Sequence, residues 1–485
     1  SIFYFLFTML LRHLNSTARE CRDFSGMIEM RPAFVALSPH IGAVLRHAGW
    51  FAFFVQLAPI IGPRGYGLFV LAFSAIALTE ALVTAPAQRV METIVAPDER
   101  HWSTALVTMI VVGTMLSVIA FWSSAAIGAV VEDGGGDLVR SMSLLPLLGA
   151  LEVIPRAALH RAGSTMRPHA ADVAGLVAGG GVGLAFAWAG AGTWSLVAQI
   201  VVQRSVECTG LWLLLHKKIG IAWSRAHCVD LFDHAGCRSI MAAAPALARY
   251  GLILLVGGML GPTAAGLYML AGRLAHALHD IFLPMGAPPQ PLEAVREARR
   301  VILPALLGST LLATALPSFV DLRWWGAVPP AQLLLLGELP VAIGFVRAAC
   351  NTETEWRWQA IKALGIVAAV APIARQGLVA IAAAQLGWML VLGLASLASI
   401  RHAFSGRWRA LTADTVRPLA GAAAAAFLLC LLAEPVGLTL PPMPGLCLLT
   451  ASGWLLYLVV RGDATGAAHA ISARVGDIAG RSPVR

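Results

Sequence analysis

Eight ionisable side chains sit inside long apolar runs of this sequence: Arg46, Glu80, Arg204, Glu207, Arg249, Arg273, Asp280 and Glu338. A charge at membrane depth costs several kcal/mol unless it is paired or hydrated, so each of these residues has either a partner or a function. Arg46, Arg249 and Arg273 are the candidates for substrate binding. Guanidinium groups grip phosphate oxygens two at a time, so arginines around one cavity suit an anion such as a diphosphate. Structural pairing, or snorkelling to an interface, is the competing explanation for each. Glu80, Asp280 and Glu338 are candidates for ion coupling or for pairing with an arginine. Glu338 lies close to Pro340 and also suits a broken helix. Arg204 and Glu207 are three residues apart on one helical face and can satisfy each other, which favours a structural pair.

The surroundings of these residues fix the class of protein. The chain has 485 residues, 58% of them hydrophobic and 13% charged, with a mean hydropathy of +0.75. A water-soluble domain carries roughly 25% charged residues. Fourteen stretches are each long enough to cross a ~30 Å hydrocarbon core as a helix. They lie near 36–61, 65–87, 102–131, 139–160, 170–190, 193–215, 238–260, 264–285, 299–320, 329–350, 359–375, 377–400, 417–436 and 443–461. The opening run, "SIFYFLFTMLL", is too short to span. This is an all-α polytopic membrane protein, and its net charge of +9 does not imply a nucleic-acid partner.

Most of the 35 lysines and arginines fall in alternate connections. Arg89 and Arg100 share a loop, as do Arg156, Arg161 and Arg167, and Lys217, Lys218 and Arg225. The opposite connections hold only Arg64, Arg140, Arg323 and Arg375. By the positive-inside rule the basic loops are cytoplasmic, and so are both termini.

One phrase returns. "GPRGYGLFVLA" (62–72) and "GPTAAGLYMLA" (261–271) share Gly62/Gly261, Pro63/Pro262, Gly67/Gly266, Leu68/Leu267, Leu71/Leu270 and Ala72/Ala271. Each copy sits at a short outer turn, and the two are six spans apart with the same orientation. That spacing predicts two six-helix bundles related by a parallel repeat, followed by two further helices. Such repeats are characteristic of transporters that rock around a site near the midplane.

Several chemistries are missing. There is no GxxxxGK[ST], HExxH or GxSxG, so neither ATP hydrolysis nor these hydrolase mechanisms is expected, and no cofactor is. The seven cysteines are scattered without a CxxC pair. "GGGVG" at 179–183 lies inside a span and reads as close helix packing. Glu152, His160 and Asp172 are expected near the inner surface. Trp122, Trp324, Trp325, Trp356 and Trp358 are expected in an interfacial belt. The inner loop 216–237 carries no recognisable motif.

Three phrases carry a family likeness. "LGPTAAGLYMLAGRLAHAL" (260–278), "GAGTWSLVAQIVVQR" (190–204) and "IGPRGYGLFVLA" (61–72) resemble helix junctions of the Wzx-type polysaccharide and O-antigen flippases, which share a superfamily with MATE exporters and lipid II flippases. The resemblance implies a V-shaped, two-lobed transporter rather than an enzyme. It implies flipping of an undecaprenyl-diphosphate-linked oligosaccharide from the cytoplasmic to the periplasmic leaflet, by alternating access, for polysaccharide biosynthesis. It further implies a bacterial inner-membrane location, membrane lipids and a proton or sodium gradient as partners, and work beside a polysaccharide polymerase. Carry-over of the anion-binding role is firmest for Arg273, which stands within a matching phrase. The expected organisation is a lead-in (1–35), an N-terminal bundle (36–215), a linker (216–237), a C-terminal bundle (238–400), two extra helices (401–461) and a cytoplasmic tail (462–485). An ion-coupled MATE-type antiporter and a membrane polymerase or ligase are the alternatives.

Overall fold

Gly62 interrupts what would otherwise be one helix over Arg31–Thr93: its φ of 69° and ψ of 168° are open to glycine and closed to most side chains. Pro63 follows, has no N–H to donate, and so starts a new helix. The result is α1 (31–61) and α2 (63–93). The computed structural model describes residues 31–282, 322–350 and 355–400, apart from a few positions in short connections, and those residues form no strand. The next helices are α3 (Glu99–Val131), α4 (Gly135–Arg161), α5 (Met166–Trp188) and α6 (Trp194–Leu214). A short linker helix, α7 (Arg225–His234), follows.

The second half repeats the device. Helix α8 (Met241–Leu260) ends at Gly261, whose φ is 85°, and α9 (Pro262–Phe282) begins at once. A 3-10 turn (Leu322–Ala327) leads into α10 (328–350), which is broken at Gly337. Then come α11 (Glu355–Val370) and α12 (Leu378–Ile400). Seven helical stretches among the described residues are long and apolar enough to cross a membrane. The chain is a multi-pass membrane protein. Eleven predicted spans coincide with helices; those at 299–320, 417–436 and 443–461 lie outside the described residues. So do residues 1–30 of the expected lead-in (1–35) and the tail.

Glycines decide how closely helices approach. Gly175, Gly179 and Gly183 lie one turn apart on α5, against the backbone or side chains of Ser195, Gln199, Gln203 and Glu207 on α6. A Cβ at any of these glycines would overlap α6. The "GGGVG" run is therefore packing surface, as expected. Between the halves, Gly67 lies against the Pro262 carbonyl, and Gly266 lies against the Pro63 carbonyl. The two copies of the repeated phrase thus pack on each other. Around this contact a continuous core joins Phe54, Tyr66, Leu71, Tyr268, Leu270 and Trp324.

Helix α8 is irregular. Pro245 removes one backbone donor near its start, and residues Leu247–Gly251 form a single π-turn. Arg249 stands on that turn and is exposed. π-turns inside α-helices are frequent at functional sites.

Candidate functional site

The interior of α1–α6 holds a chain of ion pairs. Arg204 on α6 is its hub. Its Nη2 donates to Glu80 Oε1 of α2 at 2.5 Å, and its Nη1 donates to Glu152 Oε2 of α4 at 3.0 Å. Its sequence neighbour Glu207 is more distant, at 3.9 Å. Arg156 continues the chain, donating to Glu152 at 3.3 Å and to Asp172 Oδ1 at 3.0 Å. Arg46 on α1 reaches Asp172 Oδ2 at 3.9 Å, and His169 lies 3.8 Å from the same oxygen. Gln203 donates to Glu207 at 2.8 Å.

All four carboxylates are buried. They share the interior with three guanidiniums, so carboxylates outnumber guanidiniums by one. Glu152 Oε1 has no hydrogen-bond partner among the described residues. A Cβ at Gly149 would collide with the Glu80 carboxylate, so that glycine makes room for the acid. Such a network can hold five helices in register, and breaking it from one side leaves a buried charge uncompensated.

A second feature lies toward the Gly-Pro turns. Trp50, Phe54, Leu57, Ala58, Ile61 and Tyr66 of the first two helices line a small recess of about 20 Å³ with Leu196, Gln199 and Trp324. Phe54 packs edge-on to Tyr66 and to Trp324, with ring centroids 5.5 and 5.1 Å apart. Gln199 Oε1 and Trp324 Nε1 are buried without hydrogen-bond partners among the described residues. The recess therefore contains one spare acceptor and one spare donor among aromatic faces. Arg273 of α9 stacks on Trp50, its guanidinium carbon 4.6 Å from the ring centroid. Stacking uses the guanidinium face and leaves the in-plane N–H donors available. Among the described residues no carboxylate pairs with Arg273.

The structure redistributes the sequence candidates. Arg46 and Glu80 belong to the ion-pair chain. Arg204 and Glu207 are not a self-contained pair, because Arg204's short contacts come from α2 and α4. Glu152 and Asp172 are buried in the chain of ion pairs, where Arg156 reaches both and Arg204 reaches Glu152; His160 is exposed. Arg273 faces the aromatic recess across the two halves, while Arg249 stands apart on the π-turn. Glu338 is buried with His276 of α9 at 3.9 Å. The side chain of Asp280 lies outside the described residues. Trp324 is core rather than belt, at 1% exposure, because it closes the recess; Trp122 and Trp325 are exposed as expected.

Residues 56–284 match the sequence profile of a family described as "Polysaccharide biosynthesis protein". Among solved structures, the lipid II flippase MurJ in an inward closed conformation superposes with a TM-score of 0.64. The identity is 10%, and the match covers 88% of this chain and 97% of that one. The chain shares the fold of that structure. An inward-facing multidrug resistance MATE family transporter of the MOP superfamily also superposes, with a TM-score of 0.58 and 13% identity, over 78% of this chain and 99% of that one. No curated protein sequence matches the chain. In this structure the repeated Gly-Pro phrase is the junction between α1 and α2 and between α8 and α9.

Proposed function

We propose that this chain flips an undecaprenyl-diphosphate-linked oligosaccharide across the bacterial inner membrane, from the cytoplasmic to the periplasmic leaflet, by alternating access. One arrangement carries the reading: Arg273, stacked on Trp50 with no carboxylate partner among the described residues, beside an aromatic recess whose Trp324 donor and Gln199 acceptor have no hydrogen-bond partner among them. Aromatic faces suit the apolar faces of sugar rings, and Gln199 and Trp324 suit their hydroxyl groups. The in-plane donors of Arg273 suit the diphosphate. Arg249, exposed on its π-turn, is the second candidate for anion contact. The likeness of residues 56–284 to polysaccharide biosynthesis proteins supports the same substrate class.

The ion-pair chain supplies coupling in this reading. Glu80, Glu152, Asp172 and Glu207 stand against Arg46, Arg156, Arg204 and His169, and a proton moving on and off one of these acids would shift the balance between two arrangements of α2, α4 and α6. Glu338 with His276, and Asp280, are the corresponding coupling candidates in the second half.

The test is a deletion strain of the native host. Lipid-linked oligosaccharide held in the cytoplasmic leaflet, with loss of surface polymer, is the expected result. Single repeat units held on the periplasmic face would point instead to a polymerase or ligase. Unchanged polymer with new drug sensitivity would point to an antiporter.

A further inference from the structure

The linker helix α7 docks against the start of α3 through a group that neither the ion-pair chain nor the recess uses. Asp98 immediately precedes α3, and its Oδ1 accepts the backbone N–H of His101 at 2.8 Å, as an N-cap does. The Nδ1 of His101 lies 2.7 Å from the same oxygen. From α7, His227 brings its Nε2 within 3.4 Å of Asp98 Oδ2. The two imidazole rings meet edge to face, with centroids 4.6 Å apart. One ligand atom from each of Asp98, His101 and His227 lies within 4.8 Å of the other two.

The far nitrogens of both rings are also engaged. His101 Nε2 lies 2.8 Å from Asp230 Oδ2, and His227 Nδ1 lies 2.8 Å from Ser224 Oγ. Each ring therefore has an acceptor for its N–H on the side away from Asp98. In the neutral tautomers that put each N–H on its outer acceptor, the lone pairs of His101 Nδ1 and His227 Nε2 face the Asp98 carboxylate. A cation between them relieves the repulsion of those three electron-pair donors; without one, a proton on His101 Nδ1 takes its place. Two neutral imidazoles and a carboxylate, with outer acceptors fixing the imidazole tautomers, are the ligand set of an open zinc-type site. The nitrogen-rich set disfavours magnesium and calcium.

We propose that Asp98, His101 and His227 bind one divalent transition metal of the zinc type, with Asp230 and Ser224 orienting the two histidines. The bound ion pins the linker helix α7 to α3. Thr104, one turn into α3, already accepts the backbone N–H of Ser224 at 3.2 Å, so the metal closes a contact that the fold has prepared. This inference is independent of the transported substrate.

The experiment uses the full chain in detergent, stripped with chelator and titrated with zinc or cobalt ion alone. One equivalent of zinc should bind, and cobalt should give the visible absorption of a four-coordinate site. His227→Ala should abolish both signals, and His227→Gln serves if that variant fails to fold. Asp230→Asn, which alters only the outer acceptor, should weaken binding roughly 10–100-fold. Zinc should also protect the 219–224 segment from protease in the parent chain and not in His227→Ala. The proposal is overturned if no saturable zinc binding occurs, or if zinc binds equally well to His101→Ala and His227→Ala. In either case His101 is an imidazolium bridging Asp98 and Asp230.

Discussion

Gly67 and Gly266 occupy the same place in the two halves and meet across the interface between them. A Cβ at Gly67 would overlap the Pro262 carbonyl, and a Cβ at Gly266 would overlap the Pro63 carbonyl. The repeated phrase is therefore the surface on which the two halves close, with each glycine making room for the other copy's proline. If the halves separate during transport, this contact must break and re-form.

Gly67→Val and Gly266→Val are each expected to prevent that closure. Forcing bulk into a packed contact costs typically 1–3 kcal/mol, occasionally more, and here the clash is with backbone, so the two halves must move apart to relieve it. The expected outcome is normal protein in the membrane, lost polysaccharide export, and greater labelling of a cysteine placed at Ala58. Full export by both variants would show that the contact need not close.

Arg204→Leu is expected to destabilise the protein severely. It leaves Glu80 and Glu152 buried without their shared partner, and breaking a buried pair from one side costs about 3–5 kcal/mol. Adding Glu80→Gln to Arg204→Leu should recover part of the loss, because the orphaned charge is removed. Thermal unfolding in detergent measures both. Equal stability of Arg204→Leu and the parent would mean that the chain of ion pairs is not structural.

Arg273→Ala is expected to abolish export at normal protein levels, since the recess loses its guanidinium. Arg273→Lys should restore little, because an ammonium neither stacks flat on Trp50 nor forms two parallel bonds to a phosphate. Complementation of the deletion strain separates the cases. Export equal to the parent in Arg273→Ala would remove this residue from the site.

Acid is expected to loosen the docking of α7 in metal-free protein. The backbone N–H and side chain of His101 hold the Asp98 carboxyl down to about 2, from an ordinary value of 3.8. Hydrogen bonding by His101 also lowers Asp230. A lowered carboxylate stabilises the fold above its unfolded value and loses that contribution as pH falls through its folded value. The contribution of Asp98 is therefore complete at pH 7, begins to decline near pH 4, and is gone below about 2. Proteolysis of the 219–224 segment in chelator should accelerate across that window. In Asp98→Asn the Asp98 part of the acceleration should be missing.

The sequence by itself determined the class of protein, the position of most spans and the repeat. These are local properties: a run of about 20 apolar residues spans a membrane whatever its neighbours, and Gly-Pro breaks a helix wherever it occurs. The glycines of α5 were legible for the same reason, since small residues at one-turn spacing mark a close helix contact. The partners of the buried charges were not local. From the sequence Arg204 has an acid three residues away, and only folding brings Glu80 and Glu152 closer than Glu207. Glu152 and Asp172 likewise show no partner in the sequence until α1, α4 and α6 bring Arg46, Arg156 and Arg204 to them. Asp98 and His101 form an unremarkable helix start until α7 delivers His227 and Asp230. Tertiary structure decided these sites because a charge or a lone pair is satisfied by what is near it in space, and these neighbours come from separate helices.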